Sequence, residues 1–115
     1  MAYRVLFHLD EGASCKVEST LRSVGHLLEE LGLEGLDVEL VAHGDGITAL
    51  RRTANPFAHT VRQLAERGVR LAACRNTMTR LGLSAGDLLD VAEIVPSGIG
   101  ELVRRQAEGW LYVHP

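Results

Sequence analysis

Cysteine, proline and aromatic residues are all scarce in this sequence: two cysteines, three prolines and 4% aromatics among 115 residues. Two thiols, Cys15 and Cys74, cannot build the disulfide framework of a small secreted domain, so the reading is a cytoplasmic chain with reduced thiols. The five histidines are scattered, with no Cys-x-x-Cys or His-x-x-x-His pair, and neither a metal nor a cofactor is expected. Lysine is almost absent: Lys16 stands beside eleven arginines, and twelve basic against fifteen acidic side chains leave a net charge of −3. With no basic block to coat phosphates, direct nucleic-acid binding is not expected. No apolar run approaches the ~20 residues of a bilayer span, which argues against a membrane partner. The opening run from Met1 to Leu9 has neither the basic segment nor the cleavage site of a leader. A Walker loop and a Gly-x-Gly-x-x-Gly fingerprint are both missing, which weighs against phosphate-loop and dinucleotide folds.

What is present is apolar patterning, at 46% of residues, enough for one small domain spanning 1–115. Tyr3 to Leu9 is a nearly continuous apolar run, the mark of a strand covered on both faces. Val17, Leu21, Val24, Leu27, Leu28 and Leu31 then follow at helical steps up to Gly32. Asp37 to His43 reads as a second strand, Val69 to Cys74 as a third, Ala92 to Val95 as a fourth and Trp110 to Val113 as a fifth. Asn55-Pro56 reads as a cap opening a helix over Phe57, Val61, Leu64 and Ala65. Arg75 to Leu81 is a short helix closed by Gly82, and Ser84 with Asp87 resembles a capping box. Gly98 to Glu108 is a helix with Ile99, Leu102, Val103 and Ala107 inward, and Arg104-Arg105 reads as a solvated face. Strands alternating with helices specify an α/β three-layer sandwich with a mainly parallel five-stranded sheet. The expected strand order is flavodoxin-like, 2-1-3-4-5.

Ligands of such sheets collect at the carboxyl ends of the strands. The residues there are Asp10 and Glu11, His43 to Gly46, Cys74 to Thr77, and Pro96 to Gly98. Cys74 closes a strand and opens a helix, where unpaired N–H groups and the helix dipole lower a thiol's pKa, and Arg75 adds a cation. The competing reading is a small buried cysteine that only packs. Cys15 shares this edge and would approach Cys74 only if strands one and three are neighbours, as in the expected order; the competing reading is a helix-end cysteine of no consequence. A cleft lined by Cys74, His43 and Glu11 is expected, with His43 able to take the thiol proton and Glu11 opposing the thiolate. His8 sits at a strand end as well, and a lone strand histidine reads as hydrogen-bonded structure rather than a ligand.

Several segments together resemble the DsrE/DsrF-like proteins, in particular a small stand-alone branch. They are Val41 to Ile47, Ala73-Cys74-Arg75-Asn76-Thr77-Met78, Gly82-Leu83, Asp87-Leu88-Leu89, Val95 to Gln106, and Gly109 to Val113. The resemblance implies a parallel five-stranded sheet and homo-oligomers, trimers or hexamers. It also implies a sulfur relay in which Cys74 carries sulfane sulfur as a persulfide between donor and acceptor proteins. Asn76 and Thr77 would then offer donors to the bound sulfur. A possible sulfurtransferase or sulfur carrier is therefore one reading; a non-catalytic oligomeric module binding a small ligand or protein tail, with Cys74 structural, is the alternative.

Overall fold

Where each helix lies decides the topology of this chain. The computed structural model describes residues 2–115; Met1, with which the leader-free reading begins, lies outside the described residues. Strand β1 (Tyr3–Leu9) leads to α1 (Ser14–Leu31) and, through a short 3₁₀ turn at Gly32–Glu34, to β2 (Leu36–Ala42). A 3₁₀ segment at Gly44–Leu50 precedes α2 (Ala58–Glu66) and β3 (Arg70–Cys74), which runs directly into α3 (Arg75–Leu81). After a 3₁₀ turn at Ala85–Asp87 come β4 (Ala92–Val95), α4 (Gly98–Ala107) and β5 (Leu111–Val113). Among the described residues no helix is long and apolar enough to cross a membrane.

The five strands form one all-parallel sheet in the order β4-β3-β2-β1-β5. The parallel α/β sandwich is as expected; the flavodoxin-like order 2-1-3-4-5 is not. The physical reason is visible in the packing. Val17, Leu21 and Val24 of α1, Val61 and Leu64 of α2 and Met78 of α3 all join one core with Val5, Phe7, Leu40 and Leu71. Right-handed crossovers that keep to one face move the chain steadily in one direction, giving 1-2-3-4. On the other face Leu102 of α4 and the adjoining Trp110 pack over Leu6, Val41 and Ala72. The crossover through α4 therefore returns the chain past β1, where β5 pairs with Val5–Phe7. A 2-1-3 order would need α1 and α2 on opposite faces. The same topology separates the thiols, since β2 lies between β1 and β3 and α1 covers the face opposite α4.

Three local expectations are corrected. Asn55 does not cap α2, which begins after Phe57; its carboxamide instead accepts from Phe57 N–H and donates to the carbonyls of Ala49 and Arg51. In α4, Leu102 is inward but Ile99 and Val103 are 56% and 61% exposed, and Ala107 is exposed too. Arg105 is not solvated: it turns toward the sheet and pairs with the fully buried Glu39 (Nε–Oε1 2.7 Å) and with Glu101 (3.1 Å). The inner face of α4 is thus partly ionic and its outer face partly apolar, the reverse of the pattern that marks a core helix.

Candidate functional site

Strand register brings the chemistry to one edge. His8 pairs with Val41 in β1–β2, and Ala42 pairs with Ala73 in β2–β3. One residue further, the same register sets His43 beside Cys74, and alternation turns His8, His43 and Cys74 to the face that α4 covers. At Cys74 the connection leaves toward α3 on one face, whereas after Val95, its partner on β4, the chain leaves toward α4 on the other. Adjacent strands whose connections diverge create the crevice where open α/β sheets hold ligands. Cys74 stands at that crevice.

The thiol is only 5% exposed. It is the N-cap of α3 and accepts from Thr77 N–H at 3.4 Å. Burial alone pushes the thiol pKa up. Hydrogen bonds from the Thr77 hydroxyl and from the backbone N–H groups of Gly98, Thr77 and Asn76 outweigh it, and the net direction is down. Thr77 Oγ1 accepts from Gly44 N–H at 2.9 Å, which leaves its proton for the sulfur. Across the crevice, Ser97 caps α4 by accepting from Gly100 N–H at 3.1 Å, and Gly98 follows as the first residue of the helix. Two helix N-termini therefore converge on one sulfur, an arrangement suited to a thiolate or to any anion formed there.

Of the residues expected at the site, Cys74, Asn76 and Thr77 meet directly. His43 reaches the same point through Gly98: a Cβ on Gly98 would lie 2.9 Å from His43 Cβ. Arg75 is exposed, and the leading causes of the lowered thiol pKa are neutral donors rather than its charge. Glu11 is exposed and faces Lys16 at 3.9 Å. Its neighbour Asp10 points instead toward the histidines. Cys15 is exposed on α1.

A second cluster adjoins this one. His8 Nε2 lies 2.5 Å from His43 Nε2, and its Nδ1 lies 2.6 Å from the Tyr112 hydroxyl. His114 stacks on His8 with ring centroids 4.6 Å apart and bonds Asp10 Oδ1 through Nε2 at 3.0 Å. Burial, followed by the neighbouring His43, lowers the His8 pKa, and the bond from His114 holds the Asp10 carboxyl below its usual range. Tyr112 and His114 were not among the sequence candidates, because an order ending 4-5 removes them to the far edge. With β5 beside β1 they stand next to His8. Two grooves, of about 330 and 500 Å³, run along α1; neither is lined by Cys74.

The chain matches the model of the DsrE/DsrF-like family over residues 7–115. Its structure is similar to that of MTH1491, a protein of unknown function from Methanobacterium thermoautotrophicum. The identity is 40% and the TM-score 0.92, covering 98% of this chain and 99% of that one. It also shares the fold of the ychN protein of E. coli, at 20% identity and a TM-score of 0.79 over the full length of both chains. Among curated proteins there is no match. With nearly its whole length matched, this chain belongs to the DsrE/DsrF-like family.

Proposed function

We propose that the protein is a sulfur-relay carrier that holds sulfane sulfur as a persulfide on Cys74. The family is associated with sulfur relay. The observation that carries the reading for this chain is the Cys74 sulfur at the N-terminus of α3, accepting from Thr77 N–H at 3.4 Å, with Thr77, Gly98 and Asn76 lowering its pKa. In the loading step the Cys74 thiolate attacks the outer sulfur of a donor persulfide. A bond forms between Sγ and that sulfur, the donor S–S bond breaks, and the donor cysteine leaves as a thiolate. An acceptor thiolate then attacks the outer sulfur on Cys74 and regenerates the Cys74 thiolate. No net oxidant is consumed, and the donors around Cys74 stabilise the leaving thiolate in the second step. Partner proteins supply and accept the sulfur, and the reducing cytoplasm keeps Cys15 and Cys74 as thiols.

Incubation with a low-molecular-weight persulfide is expected to add about 32 Da, one sulfur, by mass spectrometry. Cys74→Ser is expected to abolish the addition and Cys15→Ser to leave it intact. Equal uptake by wild type and Cys74→Ser would sink the reading. The near-complete burial of Cys74 favours the second reading, a binding module in which the cysteine only packs. The rate of alkylation across pH 5 to 9 separates the two. Relay chemistry requires a rate that rises well below the ordinary thiol pKa, and packing predicts one that stays low until alkaline pH.

We also propose that the chain assembles with itself, as a trimer or hexamer. Ile99 and Val103 are exposed on the outer side of α4, and Leu111 and Val113 are exposed on the opposite, α1 side of β5. Exposed apolar residues of this kind mark contact surfaces, here one on each side of the sheet. Light scattering coupled to size exclusion is expected to give a multiple of 12.5 kDa. The double substitution Ile99→Asp/Val103→Asp is expected to shift it toward the monomer; a monomeric wild type at micromolar concentration would count against the assembly.

A further inference from the structure

We propose that His8, Asp10 and His43 form a binding site for a divalent transition-metal cation of the zinc class. Each of the three offers one ligand atom, and these atoms all lie within 4.8 Å of one another. The two imidazoles converge through the same atom, Nε2 to Nε2 at 2.5 Å. An ion bound at about 2.0–2.1 Å from each nitrogen in tetrahedral geometry would hold them about 3.3 Å apart. Reaching that spacing takes less than an ångström of opening.

The surroundings are those of a supported site. A metal-bound histidine normally donates its remaining ring N–H to an oxygen, which fixes both tautomer and orientation. His8 has that partner in the Tyr112 hydroxyl at 2.6 Å from Nδ1. Asp10 is oriented by His114 at 3.0 Å, and an ionised carboxylate keeps lone pairs for an ion after accepting one hydrogen bond. His8 and Asp10 are two residues apart at the end of β1, so both project to one side of the strand, and β2 delivers His43 from the adjacent position. No sequence motif announces such a site, because its ligands come from two strand ends 33 or more residues apart (positions 10 and 43). Two imidazoles with one carboxylate suit zinc, cobalt or nickel. Calcium and magnesium prefer oxygen donors throughout. Cys74 is not part of the donor set, which makes the site separable from the relay cysteine.

The test is a calorimetric titration of chelator-treated, reduced protein with Zn²⁺ alone. One ion per chain is expected, with Kd on the order of micromolar or tighter. Asp10→Asn and His43→Gln are each expected to weaken binding by about tenfold or more, and Cys74→Ser is expected to leave it unchanged. His8 is buried, so His8→Gln is read only if its circular dichroism matches wild type. The other two variants carry the test if it does not. Cobalt substitution should give visible ligand-field bands without a thiolate charge-transfer band. The proposal is overturned by absence of binding at millimolar Zn²⁺, by full binding in both Asp10→Asn and His43→Gln, or by loss of binding in Cys74→Ser. Persulfide loading is assayed on metal-free protein, so its failure and the failure of the metal site are read separately.

Discussion

Replacing Arg105 with alanine is expected to cost about 3–5 kcal/mol of stability near pH 8, the penalty of leaving a buried charge without its partner. For a domain this size that corresponds to a fall of 10 °C or more in melting temperature. The guanidinium bridges Glu39, which is fully buried, and Glu101, and a third bond reaches Glu108 at 3.2 Å. It also covers Trp110, 5.0 Å from the ring centroid. Glu108 is exposed and contributes little, so the loss comes from the two inner carboxylates and the indole. Urea denaturation measures it directly. A loss under about 1 kcal/mol would mean that water reaches Glu39 freely, contrary to its burial.

The same triad gives the fold a pH dependence. Burial, then the neighbouring Glu101, pushes the Glu39 pKa from 4.5 up to about 7 despite Arg105. Glu39 Oε2 has no partner while the carboxylate is ionised, and a proton there supplies the bond to Glu101. Between about 4.5 and about 7 the folded chain thus holds a proton that the unfolded chain has released. Stability from this group is full below that window, falls as pH rises through it and is flat above it. Glu101 acts in the opposite sense: its pKa is lowered, so its contribution is present above the ordinary glutamate value and lost as pH falls below it. Glu39→Gln is expected to remove the decline on the neutral side. The Arg105→Ala penalty is expected to shrink at pH 5, where Glu39 takes up a proton.

Most elements are readable because they carry a clear period and a stop signal, although α2 begins after Phe57 rather than at Asn55-Pro56. α3 runs from Arg75 to Leu81 as expected, and Gly82 closes it with φ of 71°, a conformation that favours glycine. Strand order was not readable in the same way. The apolar stripe of α2 looks alike whichever face it covers, yet the face alone decides between 1-2-3-4 and 2-1-3-4-5. The inward face of α4 was misjudged for a related reason. Ile99 and Val103 are apolar as core residues are, while Glu101 and Arg105 neutralise each other over a buried glutamate, an arrangement that a hydropathy pattern scores as surface. Cys74 was legible from its place between strand and helix. The His8–Asp10–Tyr112–His114 group was not, because only the pairing of β5 with β1 brings it together.

Gly98→Ala is expected to slow the alkylation of Cys74 at neutral pH by about tenfold or more. A backbone N–H bonded to a charged group is worth about 1.5–3 kcal/mol, and each 1.4 kcal/mol is tenfold. The added methyl would lie 2.9 Å from His43 Cβ, 3.2 Å from Cγ and 3.3 Å from Cδ2. His43 follows the end of a central strand and is held by His8, so it yields less readily than the first turn of α4. That turn moves away and takes the Gly98 N–H from the sulfur, while Thr77 and Asn76 on α3 remain in place. The midpoint of the alkylation profile should therefore move about one pH unit to the alkaline side, with the plateau rate at high pH nearly unchanged. A purely structural effect would alter the plateau or the melting temperature and leave the midpoint where it was. A midpoint identical to wild type would remove α4 from the site, and Cys74 would depend on the N-terminus of α3 alone.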